Sequence, residues 1–385
     1  MSCHSPHGEL HLPHILRRMP KYIHLDQNWP EFTWNHDSMV LPLAAVRHKQ
    51  GRLLGKLEGL GFQLRSEASF GNLILDVMKS SEIEGERLPM DQVRSSIARK
   101  LGLEVAGLVH VTRNVDGVVE MMLDATQKYE QPLTKDRLFA WHGALFPTGR
   151  SGMHIIQVAA WRDAEGDPMQ VVSGALGKER VHFEAPVAER LEHDMTVFLE
   201  WFNQPTPLDS ILKAAIAHLW FLTIHPFDDG NGRIARAIAD LQLSRSDQTN
   251  QRFYSMSAQI LKERNAYYDH LEKTQQGTLD ITPWLLWFLN CYDRALDAFA
   301  ENVGGVLNKA AFWEKHRAVA LNERQRTMLN KLMDGFEGKL TSSKWAKMTK
   351  TSPDTALRDI QNLIDKGMLV KEEGGGRSTS YAIGW

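Results

Sequence analysis

Within twelve residues, His225-Pro226-Phe227-Asp228-Asp229-Gly230-Asn231-Gly232-Arg233-Ile234-Ala235-Arg236, the chain places a histidine, two acids, two glycines and two arginines. These types at this spacing suit chemistry at a phosphate ester. His225 is a base able to work near neutral pH. Asp229 offers the hard oxygen that Mg²⁺ prefers. Gly230 and Gly232 let backbone N–H groups turn toward a common point, and a glycine-rich turn running into a helix N-terminus is an anion site. Arg233 and Arg236 lie three apart on one helix face and add bidentate phosphate donors. A base, a metal ligand and a polyphosphate cradle this close together point to reaction, not to nucleotide storage alone.

Two helices must position these groups. Ser210 to Ile224 carries Ile211, Leu212, Ala215, Ile216, Leu219, Trp220 and Leu222 near a 3.6-residue period, so it reads as one buried helix. Pro226 disfavours helical geometry at His225 and ends that helix there. Asn231 is expected to cap the next helix, running around Ile234–Leu243. Upstream, helical periodicity covers Leu41–Leu60, Phe70–Ser81, Pro89–Leu101, Val105–Tyr129 and Leu133–Leu145. Ile155–Trp161 alternates weakly and reads as a strand, and Val171–Phe183 reads as a short hairpin. A helix from Pro186 to Phe202 follows, and beyond the motif lie helices at Ser257–Gln276 and Thr282–Ala300.

This run resembles the signature of the Fic family, H-P-F-x-D/E-G-N-G-R-x-x-R, with no defined position missing. The resemblance implies a mainly α protein: a Fic helical core with a short β-hairpin flap, an N-terminal helical extension and a C-terminal winged helix-turn-helix. It implies transfer of AMP from ATP, with Mg²⁺ or Mn²⁺, to a Ser, Thr or Tyr hydroxyl of a target protein, the enzyme itself included. His225 is then the catalytic base and Asp229 the metal ligand. Gly230, Asn231, Gly232, Arg233 and Arg236 become the ATP cradle.

Three neighbouring features match the same family. Val171 to Glu184 fits the flap, with Val181, His182 and Phe183 beside the nucleotide. Ala185-Pro186 stands where the family often has two prolines, which puts fine flap geometry in question. Tyr267, Tyr268 and Gln275 fall at the spacing of the adenine pocket, although many relatives have asparagine where Gln275 stands. Ser80-Ser81-Glu82-Ile83-Glu84-Gly85 matches the inhibitory signature S/T-x-x-x-E-G/N. The resemblance implies that Glu84 pairs with Arg236 and blocks the site of the ATP γ-phosphate. Removal of AMP stays open, because Glu84 could also orient a water.

At 385 residues the chain is long enough for two or three domains. A formal charge of −2 supplies no global field toward nucleic acid or anionic membrane. Cys3 and Cys291 form no disulfide framework or zinc pattern, which suits a reducing cytoplasm. No apolar run reaches membrane-spanning length, and Met1–Pro20 lacks the apolar stretch of a signal peptide. The expected division is a disordered, histidine-rich leader over 1–18, a helical region over 19–125, the Fic domain over 126–303, a linker and helix over 304–322 opening on Gly304-Gly305, and the winged module over 323–385.

In that module, Arg324–Met333, Thr341–Lys350 and Ser352–Lys366 read as helices. Ser352 caps the third, with Pro353 at its first position. Leu369–Glu373 and Thr379–Ile383, joined by Gly374-Gly375-Gly376, read as the wing. Residues 335–385 carry a net charge of +2, weak for DNA, so DNA and a docking protein are both candidate partners. Oligomeric state is open, with a dimer among the options. Two rivals stand beside AMP transfer: a Fic fold moving another phosphate-containing group, and a non-catalytic regulator that senses nucleotide and binds DNA.

Overall fold

The computed structural model describes residues 22–385 apart from 59–61, 104–106, 165–167, 175–177, 179, 334–335, 337 and 373–378. The expected leader over 1–18 and the glycine turn at 374–376 lie outside the described residues. The fold is mainly helical. In chain order come α1 (His36–Glu58), α2 (Phe62–Ile83), α3 (Met90–Lys100), α4 (Arg113–Gln127) and α5 (Lys135–Leu145). A small antiparallel hairpin follows, β1 (Arg150–Ser151) with β2 (His154–Ile155), then a second, β3 (Gln170–Ser173) with β4 (Arg180–Glu184). The helices α6 (Leu191–Asn203), α7 (Ser210–Ile224), α8 (Asn231–Asp247), α9 (Met256–Lys262), α10 (Arg264–Gln275) and α11 (Thr282–Lys315) complete the larger part. The chain ends in α12 (Glu323–Met333), α13 (Ser342–Thr349), α14 (Pro353–Asp365) and a hairpin of β5 (Leu369–Lys371) with β6 (Tyr381–Ile383).

The centre of the larger part is α7 packed along α8. α7 is apolar on nearly every side, and each residue from Ile211 to Ile224 is buried, as a helix without a polar face requires. The Asp209 carboxylate caps its start by accepting from the Ile211 N–H at 2.8 Å. The indole of Trp284 on α11 donates to the carbonyl of Ala215 at 2.8 Å and fixes α11 against α7. Behind α8, the fully buried Arg252 donates to Asp240 at 2.6 Å, so a paired charge holds the C-terminal half of that helix. α2 packs on α9 and α3 and reaches α8.

Four local expectations are corrected. Asn231 is the first helical residue of α8, and Gly230, at φ 80°, takes the N-cap position. The span 257–276 is two helices, because the chain turns at Glu263, whose carboxylate is held by Arg294 at 2.5 Å. Of the 155–161 run only Ile155 pairs as a strand, as the second residue of β2. The N–H groups beyond it bond side chains or loop carbonyls instead, Gln157 to Asp228 at 2.8 Å and Arg162 to Pro226 at 2.9 Å. Gly304 and Gly305 are helical, since α11 runs through them to Lys315. Two glycines cost about 1 kcal/mol each there. The helix continues because its last turns carry Phe312, buried in the core of the terminal module.

That terminal core is separate from the main one. Phe312, Met328, Leu340, Trp345, Ile360 and Leu369 belong to it. Ser352 accepts from the Thr355 N–H at 3.3 Å and caps α14, and Gly367, at φ 69°, follows its end.

Candidate active site

The loop between α7 and α8 is built by its own side chains. His225 leaves α7 in the left-handed region, φ 52° and ψ 59°. Its Nδ1–H donates to the Leu222 carbonyl at 3.3 Å, which leaves Nε2 as the free acceptor. Burial lowers its pKa to about 4, and the nearby Arg162 guanidinium acts in the same direction. The imidazole is therefore neutral at pH 7. Asn231 clamps the turn: its Oδ1 accepts from the Phe227 N–H at 3.0 Å and its Nδ2 donates to the Phe227 carbonyl at 2.7 Å. Gly230 must lack a side chain, because a Cβ there would lie 2.9 Å from the Phe146 ring.

Asp229 is oriented from two sides. One oxygen accepts from the Gly230 N–H at 2.5 Å, and the other accepts from the Ser151 hydroxyl on β1. Among the described residues, no group of three or more His, Cys, Asp or Glu side chains gathers to hold a metal. A single carboxylate still fits Mg²⁺, which is bound in nucleotide sites through one or two carboxylates with substrate phosphates and water.

The two arginines contact the last turn of α2 and the segment after it. Arg236 is buried; its Nε donates to the Ser80 hydroxyl at 3.0 Å, and its Nη2 donates to the Ser80 carbonyl at 2.9 Å and to Glu84 at 2.8 Å. Arg233 lies over the Phe146 ring at 5.1 Å and donates to Glu86 at 3.1 Å. Two buried donors, Arg236 Nη1 and Arg233 Nε, have no acceptor among the described residues. A Cβ on Gly232 would collide with the Glu84 carboxylate, so Glu84 lies against the first turn of α8, where the helix dipole favours an anion.

The flap is pinned to α10. Glu272 accepts from Arg180 at 2.6 Å and pairs with His182 Nδ1 at 2.7 Å, while Gln276 donates to the His182 carbonyl at 2.7 Å. Val181 is exposed and Phe183 buried. Tyr267 and Gln275 are also buried. The Tyr267 hydroxyl meets His218 at 2.9 Å, and Gln275 donates to Thr223 at 3.4 Å. Tyr268 remains half-buried beneath the Arg264 guanidinium at 5.3 Å.

Three further residues shape the site and carry no sequence signal of their own. His142 on α5 stacks on Phe227 at 4.2 Å, accepts at Nδ1 from the Ala159 N–H at 3.1 Å and donates from Nε2 to the Asp229 carbonyl at 3.2 Å. Burial lowers its pKa to about 4, in keeping with one donor and one acceptor nitrogen. Arg162 donates from Nε to the His225 carbonyl at 2.9 Å and from Nη2 to the Pro186 carbonyl at 2.5 Å, tying the flap's exit to the histidine. Glu86 lies beyond the inhibitory signature, and only its contact with Arg233 singles it out.

Fold and site together define a helical domain whose glycine turn and two arginines lie where the buried α7 runs into α8. Residues 132–243 match the model described as the Fic/DOC family, and residues 22–103 match one described as a domain of unknown function, DUF4172. The chain therefore contains a Fic/DOC-family domain. A protein adenylyltransferase Fic of Culex quinquefasciatus is 33% identical over 234 residues, 59% of this chain and 41% of that one. Another, of Nematostella vectensis, is 33% identical over 116 residues, 30% of this chain and 25% of that one. The chain thus spans well under two thirds of the length of either relative. In fold it is similar to a Fic family protein from Desulfovibrio desulfuricans, with TM-score 0.53 and 21% identity over 92% of this chain and 98% of that one. It is also similar to a Fic domain containing signaling protein from Bacteroides thetaiotaomicron, with TM-score 0.50 and 21% identity over 68% of this chain and 97% of that one. Among the described residues no helix is long and apolar enough to cross a membrane.

Proposed function

We propose that this protein transfers AMP from ATP to a hydroxyl side chain of a protein, and that Glu84 restrains the reaction. The observation that carries the reading is His225, its Nε2 unclaimed, on the turn leading into α8, where Arg233 and Arg236 keep buried, unmatched donors. Those donors suit the oxygens of a polyphosphate.

His225 Nε2 takes the proton from the incoming hydroxyl as its oxygen attacks the α-phosphate and pyrophosphate leaves. N–H groups at Gly230, Asn231 and Gly232 stabilise the phosphate oxygens. Arg233 and Arg236 grip the β- and γ-phosphates. Asp229 would hold Mg²⁺, which supplies neutralisation of charge on the leaving group. An exposed strand in the flap offers backbone pairing to a target segment.

Incubation with α-labelled ATP, compared with labelled UTP, GTP and a phosphocholine donor, tests the reading. Label from ATP retained on protein supports AMP transfer. Label from another donor alone replaces it with a different group transfer, and no label from any donor leaves the regulator reading.

The terminal module is proposed to be a winged helix that recognises a partner. The exposed positions of α14 include Asp354, Arg358 and Asp365, a mixed-charge surface that favours a protein over DNA. Salt-sensitive retention of the full chain on duplex DNA would overturn that preference.

A further inference from the structure

We propose that Glu86 is a second inhibitory carboxylate, which closes Arg233 as Glu84 closes Arg236. The proposal rests on the ATP-binding reading of the two arginines and extends it to a two-point latch.

The latch follows from how α2 ends. The Gly85 N–H bonds the Glu82 carbonyl at 3.0 Å, and the Glu86 N–H bonds the Ser81 carbonyl at 3.0 Å. With Gly85 at φ 83°, this is a Schellman termination. It turns the chain so that carboxylates two residues apart reach neighbouring turns of α8. Glu84 meets Arg236 at 2.8 Å, and Glu86 meets Arg233 at 3.1 Å. The second contact is not a loose surface pair. The Arg233 side chain is 8% exposed, and the other oxygen of Glu86 accepts from Asn114 on α4 at 2.5 Å. Asn114 thus fixes Glu86 in the orientation that Arg233 uses. Each phosphate-gripping arginine therefore already holds one carboxylate, and an entering polyphosphate must displace both.

The test is calorimetric binding of Mg²⁺-ATP to the full chain, comparing wild type, Glu86→Gln, Glu84→Gly and the double variant. Binding is read directly, without reliance on turnover. Gln keeps the size and an acceptor for Asn114 and removes only the charge. Glu86→Gln is expected to tighten ATP about 3- to 30-fold, as loss of one charge-assisted contact allows. The double variant should bind more tightly than either single one. Asn114→Ala should shift affinity in the same direction by less, and serves should Glu86→Gln melt early. If Glu84→Gly tightens ATP and both Glu86→Gln and Asn114→Ala bind as wild type, Glu86 is only a structural end to α2. If no variant binds ATP, the nucleotide reading itself falls and the latch with it.

Discussion

Arg236 on α8 and Glu84 after α2 are joined at 2.8 Å although 152 residues separate them in sequence. The arginine is 2% exposed and the glutamate 33%, so the pair is anchored from the α8 side and openable from the α2 side. A charge-assisted bond of this kind contributes about 1.5–3 kcal/mol, or roughly one to two orders of magnitude in binding. Glu84→Gly is therefore expected to raise label incorporation from α-labelled ATP by about 10- to 100-fold, most visibly as self-modification. Equal rates in the two proteins would return Ser80–Gly85 to an ordinary helix end. A variant that gains transfer yet can no longer strip AMP from modified protein would add a hydrolytic role for Glu84.

Among the described residues, His225 keeps Nε2 unclaimed on the turn into α8, whereas both ring nitrogens of His142 are bonded. His225→Ala should lower AMP transfer by about 10²- to 10⁴-fold, the range for loss of a general base. ATP affinity should change little, because the arginines and the turn remain. Transfer at the wild-type rate would remove His225 from the reaction. Activity should also persist into acid, since burial sets its pKa near 4 and the base form is lost only as pH falls through that value.

Asp229 should govern metal dependence. EDTA and Asp229→Ala are both expected to stop transfer, with added Mg²⁺ or Mn²⁺ rescuing only the first. Undiminished labelling in EDTA would show that the two arginines suffice.

How much of this was legible in the residues depends on distance along the chain. α7 could be read to within a residue, because its apolar period and Pro226 stop are both local. The turn was legible for the same reason, except that Asn231 spends its side chain on Phe227 and leaves the cap to Gly230. Contacts between distant elements were not legible from periodicity. The meeting of Glu84 with Arg236 was expected only through family resemblance. The clasp of Arg162 on His225 and the seat of His142 under Phe227 had no motif to announce them. The glycine pair at 304–305 misled because propensity is a weak prior, and a helix with packed ends overrides it.

His142 gives the last prediction, a pH dependence of stability with a defined sign. Its pKa is held near 4 in the folded protein, chiefly by burial, against about 6.5 when exposed. The unfolded chain therefore binds this proton first as pH falls. Stability from this residue is full above pH 6.5 and is lost progressively down to about pH 4, below which it levels off. The shift corresponds to up to about 3 kcal/mol, at roughly 1.4 kcal/mol per pH unit. His24, held near 4 by the same cause, should add to the slope. Chemical denaturation of wild type and His142→Gln at pH 7.5, 6, 5 and 4.5 checks this. Gln can still donate to the Asp229 carbonyl but cannot titrate, so the variant should lose less stability between pH 6.5 and 4.5. Parallel curves for the two proteins would mean that His142 is protonated in the fold, which would break its acceptance of the Ala159 N–H and the clamp it places on the loop carrying Asp229.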